Sequence, residues 1–449
     1  MTLASLPVAI IGAGPVGLAA AAHLLARGET PLVLEAGPAA GHAVRQWHHV
    51  RMFTPWRFCV DRQAAALLAK RGWSPPPADD VPTGGELVAL YLEPLAAALA
   101  PYLQVDARVT AVTRQHTDKV RTAGRDARPF VLRVAAPDGT LRSVTARAVI
   151  DASGTWFTPN PAGADGLPAF GETAAADRIA AGIPDVLGGD RAIYLGRTTA
   201  VVGSGHSALN ALIELAALRE EAPGTRLLWL LRKIRVDSAF GGEAADALPA
   251  RGALGMQARA LVESGDVDVV TPFRIATIAR AANGGLLIAG DHADRPTQLA
   301  ADRMIVATGF RPDLAMLREL RLALDPWLEC AGTIGPLIDP NLHSCGTVRP
   351  HGAAELSHPE SGFFIAGMKS YGRAPTFLLA TGHEQVRSIA AQLAGDVAAA
   401  ARVELELPET GVCTTRPLPR AAIVVAKSCC GAAKPEIVAA SPGGGTCCG

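Results

Sequence analysis

The sequence predicts an α/β fold of two Rossmann-like dinucleotide-binding domains, one inserted in the other, followed by a flexible Cys-rich C-terminal tail. Three observations predict it: two glycine-rich turns almost half a chain apart, the same order of elements after each, and a clustering of cysteines beyond Val412. The first turn, Gly12-Ala13-Gly14-Pro15-Val16-Gly17, follows the apolar run Val8 to Ile11 and opens a helical stretch, Leu18 to Leu25. In that context Gly12 makes the tight turn, Gly14 lets backbone approach a pyrophosphate, and Gly17 lets helix pack on strand; Pro15 belongs to the same cradle. The next strand, Pro31 to Leu34, ends in Glu35. A carboxylate there can accept hydrogen bonds from both ribose hydroxyls and argues against a 2′-phosphate.

The second turn, Gly203-Ser204-Gly205-His206-Ser207-Ala208, follows Thr199 to Val202 and opens a helix through Ala208 to Leu218. Gly203, Gly205, His206 and Ser207 form this cradle, with alanine as an accepted variant of the third glycine. Its second strand, Arg226 to Leu231, ends in Arg232-Lys233 where the first ends in an acid. Guanidinium and ammonium suit a dianionic 2′-phosphate better than two hydroxyls, so this site is expected to take NADPH. The alternative is a solvated strand end.

The elements that follow each turn are alike. Strands Phe130 to Val134 and Leu141 to Thr145 flank Asp138-Gly139, and Ala148 to Ile150 leads to the exit Asp151-Ala152-Ser153-Gly154. In the second half, Thr277 to Arg280 and Leu286 to Ala289 flank Asn283-Gly284-Gly285, and Met304 to Val306 leads to Ala307-Thr308-Gly309. Gly154 and Gly309 are small-residue exits after buried strands. The Pro- and Gly-rich stretch Thr158 to Pro168 reads as the crossing into the second domain, and the return falls near Gly309 to Asp313. The expected organisation is therefore a first domain built from 1–158 and 309–410, a second from 159–308, and a tail from 411–449.

At 449 residues the chain exceeds one ordinary core. Its 42 basic and 42 acidic side chains balance, so no global field favours nucleic acid or anionic lipid, and the expected partner is a small molecule. The mean hydropathy of +0.22 comes from alanine and valine, without an apolar run near the roughly 20 residues of a membrane span. With no basic leader before the first strand, a cytoplasmic protein is expected.

The two turns with Glu35 and Arg232, the exits through Ser153-Gly154 and Thr308-Gly309-Phe310-Arg311-Pro312-Asp313, and their order resemble the two-dinucleotide-domain flavoproteins. That superfamily includes flavin-containing monooxygenases and thioredoxin-reductase-like enzymes. The resemblance covers about residues 1–395 and implies FAD on the first site and a nicotinamide cofactor on the second. Val306 to Phe310 is similar to the FATGY-type segment of N-hydroxylating and flavin-containing monooxygenases, and Thr155 to Asn160 to the linker after their first exit. Gly362 to Met368 resembles the third FAD-contacting strand, which places Gly367 at the flavin and Met368-Lys369 where many members carry an acid. The helix expected next, Phe377 to Ala394, could turn its first amides toward the isoalloxazine. The Baeyer–Villiger fingerprint is absent, and no CxxC pair lies in either dinucleotide domain.

Two further segments carry chemistry. The run Arg45 to Arg57 mixes aromatic rings with His and Arg, and Trp47, His48, Arg51 and Trp56 are candidate contacts to an oxygenated or anionic substrate, unless the rings merely fill gaps. No catalytic acid or base is assigned. Cys413, Cys429, Cys430, Cys447 and Cys448 lie among Gly, Ala, Pro and Ser that cannot build a core. Reduced neighbouring thiols there could bind a soft metal or metalloid ion, or bind nothing. With this tail the chain resembles flavoproteins encoded in arsenic-resistance operons. The expected function is an FAD-dependent, NADPH-oxidising monooxygenase acting on a soft sulfur, nitrogen or arsenic nucleophile. The rivals are a flavin reductase that passes electrons to a metalloid or to the tail thiols, and a non-catalytic sensor or buffer.

Overall fold

A computed structural model describes residues 3–405 apart from 247, 343–350 and 375–376. The tail cysteines therefore lie outside the described residues. In the first half the strands are β1 (Val8–Ile11), β2 (Pro31–Leu34), β3 (Leu103–Gln104), β4 (Arg108–Arg114), β5 (Phe130–Ala135), β6 (Leu141–Ala146) and β7 (Ala148–Asp151). The second half contributes β8 (Ile179–Ala181), β9 (Thr198–Val202), β10 (Arg226–Leu230), β11 (Asp268–Val270), β12 (Phe273–Arg280), β13 (Leu286–His292), β14 (Arg295–Ala301) and β15 (Arg303–Val306). A last strand, β16 (Phe363–Ile365), follows the return.

These strands build two parallel sheets, ordered β16-β7-β1-β2-β3 and β11-β10-β9-β15-β8. Read from the strand before each glycine turn, the two orders coincide: β1 lies between β2 and β7 as β9 lies between β10 and β15. Each sheet also has a three-stranded antiparallel companion, β4-β5-β6 and β12-β13-β14. Both faces are covered, which is why the central strands read as unbroken apolar runs. Val8 and Ile10 of β1 face the helical layer, while Ala9 and Ile11 pack with Phe130, Leu132 and Val134 of the antiparallel companion.

Each glycine turn opens a long helix, Pro15–Ala26 and His206–Glu221. Both begin earlier than the apolar pattern predicts, because Gly14 and Gly205 in extended conformation are the N-caps and helical geometry starts at the next residue. The helix Leu379–Leu393 packs along the first of them. Strands β3, β4, β8, β11 and β14 are additions to the sequence reading. Short or half-exposed, they lack the buried apolar signature of the central strands.

The outgoing and return crossings run side by side. Asn160 N–H donates to Gly309 O (2.9 Å) and Arg311 N–H to Thr158 O (3.0 Å). The Arg311 guanidinium bonds Asn160 Oδ1 at 2.8 Å, and the Trp156 and Phe310 rings lie 4.9 Å apart.

Candidate functional site

The two glycine turns share one backbone design. Gly12 N–H donates to Leu34 O (2.8 Å) and Ala152 N–H to Ile11 O (2.9 Å); Gly203 N–H donates to Leu230 O (3.3 Å) and Ala307 N–H to Val202 O (2.8 Å). Gly12 has φ +98° and Gly203 φ +127°. A Cβ on Gly12 would stand 2.8 Å from Ala152 O, and one on Gly203 2.2 Å from Ala307 O, so the exit after β7 is pressed onto the first turn and the exit after β15 onto the second. Gly14 and Gly205 differ from these. Nothing lies within 4 Å of a Cβ built on either, nor on Gly154. Open space at the N-terminus of a long helix, beside glycine backbone, is the shape a pyrophosphate needs. At Gly309, φ is +88° and a Cβ would be 3.5 Å from Asn160 Nδ2.

Glu35 follows β2 directly, and its buried carboxylate accepts from Ala13 N–H at 2.6 Å and Gly37 N–H at 2.8 Å. Each oxygen keeps a further lone-pair position that a ribose hydroxyl can use. In the second lobe the register sets Val202 beside Leu230 as Ile11 stands beside Leu34. The counterpart of Glu35 is therefore Leu231, which is buried. Arg232 and Lys233 come next and are exposed; Arg232 Nη1 donates to Ala164 O (2.8 Å) and Lys233 Nζ to Ser238 O (3.1 Å).

Under the first cradle is an ion pair that the sequence reading did not assemble. Lys369 Nζ donates to Asp151 Oδ2 at 2.7 Å and to Ser153 Oγ at 3.1 Å, while Asp151 Oδ1 accepts from Ser153 N–H (3.1 Å) and Oγ (2.7 Å). Both charges are shut off from solvent. The pair fixes the turn that carries Gly154 against Gly12. A sequence signal existed: an acid ends the apolar strand Ala148 to Ile150, a lysine follows the apolar run Phe363 to Met368, and the two strands are parallel neighbours with Ile365 beside Asp151. Close by, Gly367 (φ +73°) donates its N–H to Gln385 Oε1 at 2.8 Å, and a Cβ on it would press Val16.

The run from Arg45 to Arg57 reaches across to the second cradle. Phe53 lies 5.0 Å from the His206 ring, and the Arg251 guanidinium is 6.0 Å from Phe53. His206 is the first residue of its helix and Ser207 the second. Surrounding protein desolvates the His206 imidazole and Arg251 adds like charge, which draws it below its usual range although its outer face stays open. The structure does not gather the four candidate substrate residues in one place. Trp56 is only 4% exposed and packs in the core, and Trp47 packs on that core over Gly84. Arg51 is exposed and donates to Val81 O at 2.6 Å, and His48 is exposed with Nδ1 3.2 Å from Arg45 O.

The sequence matches the pyridine nucleotide-disulphide oxidoreductase family over residues 6–331. The chain belongs to that family. Its cofactors are FAD and NAD(P)H, as the family's fold and the two cradles require. No curated protein matches. Among solved structures the chain is similar to a bacillithiol disulfide reductase from Bacillus cereus, with a TM-score of 0.64 and 19% identity over 87% of this chain and 99% of that one. It is similar to a cadaverine monooxygenase of desferrioxamine biosynthesis from Erwinia amylovora solved with FAD, with a TM-score of 0.58 and 14% identity over 92% and 99%. A third likeness is to a flavin monooxygenase from Stenotrophomonas maltophilia, with a TM-score of 0.52 and 22% identity over 87% and 98%. At these identities the likeness is one of fold. No described helix is long and apolar enough to cross a membrane.

Among the described residues the free cysteines are Cys59 and Cys330, both buried. Burial pushes the Cys59 thiol up to about 12, and burial with Asp325 nearby does the same to Cys330. Neither is a thiolate at neutral pH, so neither is a nucleophile.

Proposed function

We propose that this protein is an FAD-dependent, NADPH-oxidising monooxygenase whose substrate is a small soft nucleophile, a sulfur, nitrogen or arsenic compound. FAD would lie in the first cradle, its pyrophosphate at Gly12, Gly14 and Pro15, its ribose on Glu35, and its flavin end toward Gly154 and Gly367. NADPH would lie in the second, its pyrophosphate at Gly203, Gly205, His206 and Ser207, with Arg232 and Lys233 on the 2′-phosphate and Gly309 at the exit. The bound cofactors supply hydride transfer and oxygen activation. The chain's part is to hold two rings against each other and to keep water out with the Arg45 to Arg57 run. Cytoplasmic location and a small-molecule partner belong to this reading.

The observation that carries the choice of oxygenase is the placement of the thiols. In the described body the two cysteines are separate, buried and protonated, so electrons on the flavin have no dithiol there to pass to. This reading therefore assigns oxygen as their acceptor. Measuring NADPH oxidation and oxygen uptake together, with a thioether, an amine or arsenite present, tests it. One oxygen consumed per NADPH with formation of an oxygenated product is expected; NADPH oxidation without oxygen uptake would contradict it.

A second reading, a reductase serving a metalloid or the tail thiols, is favoured by the adjacent pairs Cys429-Cys430 and Cys447-Cys448. Deleting residues 413–449 separates the two: an oxygenase keeps turning over, and a tail-dependent reductase stops.

A further inference from the structure

His48 and His49 leave the first lobe at the turn after the short helix His42–Arg45, and Asp185 follows β8 in the second lobe. Each offers a ligand atom within 4.8 Å of the others, although 136 residues separate His49 from Asp185. We propose that His48, His49 and Asp185 form a divalent transition-metal site, of the kind zinc occupies, that ties the Arg45 to Arg57 run to the second lobe.

Three features of the residues support it. Both ring nitrogens of His49 are buried and neither has a well-aligned hydrogen bond; the Pro184 backbone approaches the ring in poor geometry and can serve one nitrogen at most, which leaves the other without a partner. A buried imidazole donor or acceptor left unmatched costs about 1–3 kcal/mol, and a cation would give one nitrogen a partner. His48 is already set for ligation. Its Nδ1 faces the Arg45 carbonyl at 3.2 Å, and since a carbonyl only accepts, the proton is on Nδ1 and the Nε2 lone pair is free. Such a second hydrogen bond is how metal-bound histidines are oriented. The Asp185 carboxylate is held likewise: Oδ2 accepts from Gly189 N–H at 2.8 Å, and a Cβ on Gly188 would fall 2.4 Å from the same oxygen. The turn closes further through Asp185 N–H to Asp190 Oδ2 at 3.0 Å.

The ligand set decides the class of ion. Two imidazoles and one carboxylate suit borderline transition ions; calcium and magnesium prefer oxygen. Zinc bonds nitrogen and oxygen at about 2.0–2.2 Å in tetrahedral geometry, so ligand atoms would draw in to roughly 3.3–3.5 Å from one another. Closing that gap moves the two lobes' segments together. Because His48 is exposed, the fourth position faces water. Asp190 stands near His49 and adds negative charge beside the site.

The test is equilibrium dialysis of the FAD-loaded full chain against zinc ions alone. Cys345, Cys413, Cys429, Cys430, Cys447 and Cys448 are replaced by serine so that thiolates do not compete. One zinc per chain with micromolar or tighter affinity is expected, weakened at least about tenfold in His49→Ala and in Asp185→Asn, with flavin content per chain unchanged. Should His49→Ala fail to hold flavin, the near-isosteric Asp185→Asn and the exposed His48→Gln decide. No zinc bound at micromolar concentration, or zinc retained with unchanged affinity in Asp185→Asn and His48→Gln, overturns the proposal. The outcome does not depend on whether the reaction is an oxygenation.

Discussion

The two dinucleotide cradles are the same backbone carrying different chemistry. Strand order, turn length, helix start and the hydrogen bonds from Gly12 and Gly203 correspond. The side chains at matched positions do not. Glu35 stands against Leu231. Asp151, beside Ile11, stands against Val306, beside Val202. Gly17, whose Cβ would sit 2.0 Å from Gly12 O, stands against Ala208. The backbone design is thus shared, and on the proposed assignment a few side chains at the strand ends set which dinucleotide each cradle takes. The first lobe spends a buried ion pair and a tighter helix approach on rigidity, consistent with a cofactor that stays. The second has an apolar floor and exposed cations, consistent with one that comes and goes.

The largest break in that comparison comes from Lys369→Met. Removing one partner strands Asp151 in the core, and roughly 3–5 kcal/mol of stability is lost; thermal unfolding with flavin release followed together checks it. Gly17→Ala comes next. The added methyl forces the helix off the turn, an overpacking worth about 1–3 kcal/mol, so FAD content after dialysis falls while the second lobe still binds NADP+. Arg232→Ala raises KM for NADPH about tenfold and leaves that for NADH unchanged, the loss of one charged contact to a 2′-phosphate; steady-state kinetics with both nucleotides shows the split. The smallest effect is that of Ala208→Gly. The second helix already accommodates a Cβ at this position, so the variant loses only helix propensity and one methyl buried in the second core, together about 1–2 kcal/mol, with KM for NADPH unmoved.

Much of this was legible because it is local. Glycine spacing, the apolar strands before each turn and the acid or base after the next strand are short-range patterns, and the central strands and both long helices follow from them. The side-by-side crossings were foreshadowed by the Pro- and Gly-rich stretch from Thr158. What escaped depends on contacts remote in sequence. Lys369 and Asp151 are 218 residues apart, and only the adjacency of β7 and β16 makes them a pair. Trp56 and Trp47 read as binding rings from composition, yet it is the core around Tyr91 and Leu92 that places them. Asp185 has no motif at all; it meets His49 because the two lobes meet.

The central claim, a flavin and a reduced nicotinamide nucleotide on separate cradles, is tested most directly with Gly203→Val. The side chain would collide with Ala307 O and oppose φ +127°, more than 190 residues from Gly12 in sequence. The protein should purify yellow with its normal FAD content, bleach with dithionite, and be reduced by NADPH under anaerobic conditions at least about a hundredfold more slowly than the parent. A colourless protein, or one that NADPH still bleaches at the parent's rate, would contradict the account.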